Sequence, residues 1–216
     1  MAIVVNHPLH LAALRFPMMV QVKVWKGRVT LRNQTVCRIL EEGQSFVVPT
    51  FLRFDCEVMP LAQRPAEFSL TLVADADAAD AVVDDGKLWS LPLAREIFAA
   101  PQRRWTAAQL AAHWQVTPQK ARARLFAEGE TLSSLVREQR LVHALHIAAS
   151  MDDPGARDLS SLASRAGFAS VTRFAAACTE IARVPADHLL RTVVRYETLP
   201  ANRERGLSPP RHRRFF

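Results

Sequence analysis

The chain has 216 residues, 49% of them hydrophobic and 23% charged, which is enough for one large or two small domains with packed cores. No apolar run is long enough to cross a bilayer, and the N-terminus lacks the pattern of a secretory signal. The three cysteines, Cys37, Cys56 and Cys178, are far apart and odd in number, which predicts reduced thiols in a cytoplasmic protein. No Cys/His cluster has metal-ligand spacing, so we expect no cofactor.

Charge is unevenly distributed along the chain. Residues 1–90 hold 9 Lys/Arg and 10 Asp/Glu, a net charge of −1, whereas residues 91–216 hold 19 and 11, a net charge of +8. This asymmetry is typical of a DNA-binding domain joined to a neutral partner domain. A solvated basic surface without a ligand gives the same asymmetry, and charge alone does not decide between the two.

Six short segments before residue 74 have the pattern of β-strands. They alternate apolar and polar residues or are β-rich runs, with Gly or Pro between them. The predicted strands cover residues 18–25, 29–31, 35–40, 45–48, 51–58 and 68–73. No secondary-structure element is predicted over residues 1–17, because two prolines interrupt any helix there. The pattern predicts a small antiparallel sandwich or barrel.

Aromatic and histidine residues of this half are candidates for a binding site. Four aromatic side chains either line a pocket or belong to the core, and the core is the more common outcome; they are Trp25, Phe46, Phe51 and Phe54. His7 and His10 precede the predicted strands, so we expect surface residues rather than metal ligands.

An Ala/Asp-rich segment, residues 74–86, separates the two halves and contains five aspartates. Its charge disfavours packing, so we predict a linker there and domains over residues 1–85 and 87–196. A helix is predicted over residues 88–100. The Pro- and Arg-rich residues 197–216 are predicted to be a disordered basic tail after a closing helix over residues 186–196.

Residues 106–126 predict two short helices joined by a tight turn. The first covers residues 107–114, and the second begins after Thr117, whose hydroxyl can cap it. Pro118 occupies the first helical position, where its missing N–H is harmless. Ala121 and Leu125 are four residues apart and point inward together, while the cationic residues face outward. This arrangement is typical of a helix–turn–helix.

The same pattern returns over residues 159–178, after a long predicted helix over residues 131–150. The repeat, about 50 residues long, is a stronger signal than either copy alone. Equivalent positions pair Leu110 with Leu162, Ala111 with Ala163, Thr117 with Ser170, Ala121 with Phe174, and Leu125 with Cys178. On the long helix, His143 and His146 lack a carboxylate or Cys partner, so we expect solvated or backbone-bonded histidines.

At these residues the chain resembles the AraC/XylS-type transcriptional regulators. The resemblance covers about residues 90–192 and follows the family's order of motifs. It is carried by Gly167-Phe168-Ala169-Ser170 with Phe174, by Val184-Pro185 with Arg191, and by Arg140, Ala144, Leu145 and Ile147 on the long helix. Residues 43–49 also resemble a turn and strand of a cupin-like barrel.

The resemblance implies an α+β protein. Its N-terminal part is a small antiparallel, cupin-like and truncated β-domain, and its C-terminal part is an all-α domain with two helix–turn–helix units joined by a long helix. The implied function is a sequence-specific activator of transcription that is not an enzyme. Implied partners are double-stranded DNA, RNA polymerase, a second copy through the N-terminal domain, and a small-molecule or protein effector, with no membrane.

The family's DNA-contacting positions can be carried over one at a time. In the first unit they are Gln119, Lys120, Arg122 and Ala123, with Arg124 reaching phosphate. In the second they are Val171, Thr172, Ala175 and Ala176, with Arg173 alongside. Ala176 departs from the family, which often has Arg there, so we expect the first unit to supply most specificity.

Two other functions stay open at this stage. One is a protein-interaction module or co-regulator with degenerate DNA binding, which the poor second helix favours. The other is a cupin-type enzyme, although no Ser/His/Asp, Cys/His or paired-carboxylate arrangement stands out in the sequence.

Overall fold

A computed structural model describes residues 3–61, 64–73, 87–150 and 158–187. The predicted linker, the predicted basic tail and almost all of the predicted closing helix lie outside the described residues. Within them the strands are β1 Ile3–Val5, β2 Leu9–Leu14, β3 Met19–Lys26, β4 Arg28–Arg32, β5 Cys37–Leu40, β6 Ser45–Val48, β7 Phe54–Met59 and β8 Ala66–Val73. The α-helices are α1 Ser90–Ala99, α2 Ala107–His113, α3 Pro118–Ala127, α4 Leu132–Ser150, α5 Leu159–Arg165 and α6 Val171–Ala177, and a π-helical turn follows at Cys178–Ala182.

The strands form two four-stranded antiparallel sheets with the orders β1-β8-β3-β6 and β2-β7-β4-β5. This is the strand order of a jelly roll, the architecture of cupins. Alternate residues of β7 and β4 are buried between the sheets, which is why their period-two pattern predicts strands. The predicted α+β class, with β-structure followed by helices, is confirmed. A truncated barrel is not found, because all eight strands of the roll are present.

Two strands were missed because their sequences do not alternate. All three residues of β1 are buried, and four of the six in β2 are. A bulge in β2 places Ala13 at a φ of 51°, and its N–H donates to Asp55 Oδ1 at 2.8 Å. The expectation that residues 1–17 carry no element was therefore wrong.

Phe51 leaves the sandwich and packs among the helices. The strand predicted over residues 51–58 begins only at Phe54, and Phe51 has a φ of 62°. Its side chain belongs to a cluster with Leu93, Ile97, Leu110, Leu125 and Leu135. Of the other aromatic candidates, Phe54 is buried, Phe46 is half-buried against the core, and Trp25 is exposed beneath the Lys23 ammonium.

A buried ionic network joins the β-sandwich to the helices. The Arg15 guanidinium donates to Glu138 at 3.0 and 2.6 Å and to Glu130 at 2.5 Å, and all three side chains are less than 10% exposed. Gln139 Nε2 donates to the Arg15 carbonyl at 3.1 Å, and the Arg15 guanidinium also lies 4.2 Å from the centre of the Phe51 ring. Burial lowers the pKa of Arg15, but the hydrogen bonds and charges of the two carboxylates outweigh it and raise the pKa above its ordinary value.

Candidate nucleic-acid interface

The first helix pair, α2 and α3, is built by local caps. Thr106 Oγ1 accepts from Gln109 N at 3.2 Å and caps α2, and Thr117 Oγ1 accepts from Lys120 N at 3.2 Å and caps α3. Between them Gln115 adopts the left-handed conformation, with a φ of 52°. Val116 N then donates to the Ala111 carbonyl at 2.9 Å, and Gln115 N donates to the Ala112 carbonyl at 3.2 Å. Together these two hydrogen bonds form a Schellman motif.

The second pair, α5 and α6, repeats this turn. Gly167 takes the left-handed position, with a φ of 79°. Phe168 N donates to the Ala163 carbonyl and Gly167 N to the Ser164 carbonyl, both at 2.9 Å. Ser170 Oγ accepts from Arg173 N at 3.2 Å and caps α6. The inward-facing positions paired by the sequence repeat are also buried in both copies; they are Leu110, Ala111, Ala121 and Leu125, and Leu162, Ala163, Phe174 and Cys178.

The loop at residues 101–103 ties the second pair to α4. Arg140 donates from Nε to the Pro101 carbonyl at 2.8 Å and from Nη2 to the Arg103 carbonyl at 3.1 Å. On the other side, a Cβ added to Gly167 would lie 2.0 Å from the Pro101 oxygen. Burial lowers the pKa of Arg140, but an arginine remains cationic in proteins. The family-like Arg140 and Gly167 thus converge on one carbonyl group.

Most of the predicted DNA-contacting residues are exposed. The exposed ones are Gln119, Lys120, Arg122 and Ala123 on α3, and Val171, Thr172, Arg173 and Ala176 on α6. Members of both helices line one open cleft, so the structure brings the two predicted faces together.

Two predicted residues are turned toward the protein instead. The Arg124 guanidinium lies 3.7 Å from the centre of the Trp89 ring and 6.0 Å from that of Trp114, in cation–π geometry. Ala175 is half-buried against the core. Since Arg122 and Arg124 are two residues apart on a helix, their side chains point to nearly opposite sides. We therefore leave Arg124 and Ala175 out of the interface.

Sequence reasoning missed the role of Glu128. Its carboxylate accepts from Trp89 N at 2.9 Å, from Ser90 N at 2.8 Å and from Ser90 Oγ at 2.6 Å. A carboxylate at the first turn of α1 satisfies free N–H groups and complements the helix dipole. Lys87 Nζ also donates to the Glu128 carbonyl. The end of α3 is thereby fixed to the start of α1.

The cleft between α3 and α6 has a volume of about 1210 Å³. Its floor is the first half of α4, and its walls include the start of α2 and parts of α3 and α6. The charged residues that line it are Arg122, Arg137, Arg140, Arg173 and Glu130. Cations therefore outnumber carboxylates at this surface by four to one.

The histidine and cysteine residues noted in the sequence pack in the protein interior or lie at its surface. His143 and His146 pack against Phe98, with ring centres 5.0 and 5.9 Å away, and burial lowers the pKa of both. Burial raises the pKa of the Cys56 and Cys178 thiols to about 12. His7 and His10 are exposed, as predicted.

Neither a metal centre nor a membrane span is found in the described ranges. No group of three or more His, Cys, Asp or Glu side chains among these residues could hold a metal ion. The same residues include no helix that is both long and apolar enough to cross a membrane.

Comparison with solved structures identifies the fold. A structure of ToxT from Vibrio cholerae superposes with a TM-score of 0.64 at 11% identity, covering 89% of this chain and 97% of ToxT. ToxT bound to (E)-4-(8-methylnaphthalen-1-yl)but-3-enoic acid gives 0.62 at 11% identity, covering 90% and 99%. ToxT with an unsaturated fatty acid bound gives 0.57 at 11% identity, covering 91% and 97%. No protein-family model and no curated protein matches the sequence.

Proposed function

We propose that this chain is a DNA-binding transcriptional regulator of the AraC/XylS type that inserts α3 and α6 into successive major grooves. The observation that carries the proposal is the repeated helix pair. Both pairs have the same Schellman turn and the same Ser/Thr cap, and the second helix of each opens on one cationic cleft. The fold shared with ToxT, an AraC-family protein, supports this reading.

The two helices have different chemistry for reading DNA. Gln119 and Arg122 are three residues apart on an exposed face of α3, and their side chains can pair with adenine and guanine edges. The exposed Val171 and Thr172 of α6 offer methyl groups and little hydrogen-bond readout. We therefore assign most of the sequence discrimination to α3.

We also propose that residues 1–85 form a regulatory or dimerisation domain and residues 87–196 the DNA-binding domain. The buried network of Arg15 with Glu130 and Glu138 is a polar contact between them. Because a ToxT structure holds an unsaturated fatty acid, fatty acids are the first effector class to assay here.

Binding to DNA should depend steeply on salt. The basic half has a net charge of +8, and each phosphate that it neutralises contributes roughly −0.9 to the slope of log affinity against log salt. The test is fluorescence anisotropy of the full chain on a duplex selected from a random library, long enough for two half-sites about 10 bp apart. Failure to bind any duplex, or a slope near zero, would remove DNA binding as the function.

Truncations on the two helices should differ in their effects. Arg122→Ala should weaken binding to the selected duplex by roughly ten- to a hundredfold, because one bidentate base contact contributes about 1–3 kcal/mol. Thr172→Ala removes mainly a methyl contact and should change affinity only a few-fold. Titrations of both variants on selected and scrambled duplexes at one salt concentration measure the difference. If Thr172→Ala abolishes discrimination and Arg122→Ala is neutral, the assignment of the two helices is reversed.

A co-regulator with degenerate DNA binding is the second candidate. The small and apolar exposed residues of α6 favour it, since a helix with Val171 and Ala176 at its surface reads few base edges. Such a protein would retain the salt dependence of nonspecific binding but would yield no enriched sequence from the random library.

A further inference from the structure

The cleft between α3 and α6 is lined by more cations than anions. Four arginines line it, and the one acidic residue in its lining is Glu130. The Glu130 carboxylate is already paired with Arg15 on the side of the β-sandwich, at 2.5 Å. The residues that line the cleft therefore carry an excess of positive charge.

The four arginines are not equally available. The Arg140 guanidinium already donates hydrogen bonds to the carbonyls of Pro101 and Arg103. Arg137 Nη1 donates to Glu180 Oε2 at 2.5 Å, which fixes the guanidinium but leaves other N–H donors of its fork free. The exposed side chain of Arg173 makes no ion pair or hydrogen bond with the described residues. Arg137 on the floor and Arg173 on a wall can therefore both donate to a ligand.

Trp105 also lines the cleft. Its indole nitrogen has no acceptor among the described residues, but it is buried and therefore out of reach of a ligand in the open cleft. The walls carry small residues, Ala121 and Ala123 on α3 and Ala176 on α6, which leave the space between the two helices open. The cleft thus combines the free N–H donors of Arg137 and Arg173 with room for a chain-like ligand.

We propose that this cleft binds the sugar–phosphate backbone between the two major grooves, with Arg137 and Arg173 as phosphate-contacting residues. The inference rests on the proposed function. If α3 and α6 occupy grooves one helical turn apart, roughly 34 Å along the DNA, the backbone that separates those grooves must pass the surface between the helices. The helix α4 is then part of the DNA interface and does more than set the spacing of the two pairs.

Substitution of the two arginines tests the assignment. Arg137→Ala and Arg173→Ala should each weaken binding to selected and scrambled duplexes by the same factor, because phosphate contacts carry no sequence information. Each should also reduce the magnitude of the salt slope by about 0.9. The matched control is Arg32→Ala, which removes the same charge from an exposed site on β4 and should leave the slope unchanged. Arg137→Lys should retain the slope while losing part of the affinity, since the charge stays and the fork is lost.

Replacing single phosphates of the DNA with uncharged analogues locates the phosphate that Arg137 contacts. Methylphosphonates are placed one at a time along the selected duplex, and the wild-type chain should lose affinity when one lies between the two half-sites. Arg137→Ala should lose nothing further at that position. Equal losses in wild type and variant, or an Arg137→Ala salt slope equal to that of wild type, would overturn the proposal while leaving DNA binding intact. Absence of binding by the wild type to every duplex would instead reject the proposed function itself.

Discussion

Replacing Arg15 with alanine should lower the free energy of unfolding by about 3–5 kcal/mol, because removing one partner of a buried ion pair leaves uncompensated charge. Here two carboxylates, Glu130 and Glu138, would stay buried without their cation. The Arg15 stack on Phe51 would also be lost. Urea unfolding of the full chain at neutral pH, followed by circular dichroism, measures the change.

Arg53→Ala is the matched control for this experiment. Arg53 approaches the same Glu138 carboxylate at 3.4 Å, but its side chain is 57% exposed. An exposed pair contributes about 0–1 kcal/mol, so this variant should remain close to wild type. Equal losses for the two variants would mean that burial of Arg15 has no energetic consequence, which contradicts the network.

The network also connects the β-sandwich to the cleft. Glu130 follows α3 directly and also lines the cleft, so Arg15 from the β-sandwich holds the segment between α3 and α4.

The helical half was predictable because its signals are local. Thr106, Thr117 and Ser170 each accept a hydrogen bond from an N–H three residues later, and such caps mark helix starts in any sequence. The predicted bounds of α2 and α3 consequently agree with the observed ones within one residue. The internal repeat extended this prediction to the second pair, where the turn is one residue longer.

Other features depend on contacts between distant residues and leave no local pattern. Arg15 and its carboxylates are 115 and 123 residues apart, so nothing near Arg15 indicates burial of its charge. Arg124 looked like a phosphate contact because α3 is cationic, and only the fold brings Trp89 beneath it. The strands β1 and β2 were missed for a related reason, since nearly continuous burial removes the alternation that identifies a strand.

Gly167→Ala should destabilise the chain by about 2–5 kcal/mol, combining left-handed strain of about 1–2 kcal/mol with overpacking of about 1–3 kcal/mol. The strain arises because Gly167 has a φ of 79°. The overpacking arises because the new Cβ would lie 2.0 Å from the Pro101 oxygen and 2.4 Å from its carbonyl carbon. That carbonyl also accepts from Arg140 at 2.8 Å, so it cannot retreat without weakening the hydrogen bond.

Gly129→Ala separates the cost of left-handed strain from the cost of overpacking against Pro101. Gly129 ends α3 with a φ of 75°, but a Cβ added there meets no atom within 4 Å. Its alanine variant should therefore lose only the left-handed strain, and the difference between the two variants in urea unfolding isolates the contact with Pro101. We expect that difference to be about 1–3 kcal/mol. Equal destabilisation would mean that the loop at residues 101–103 moves freely, in which case Arg140 and Gly167 do not fix the second helix pair against α4.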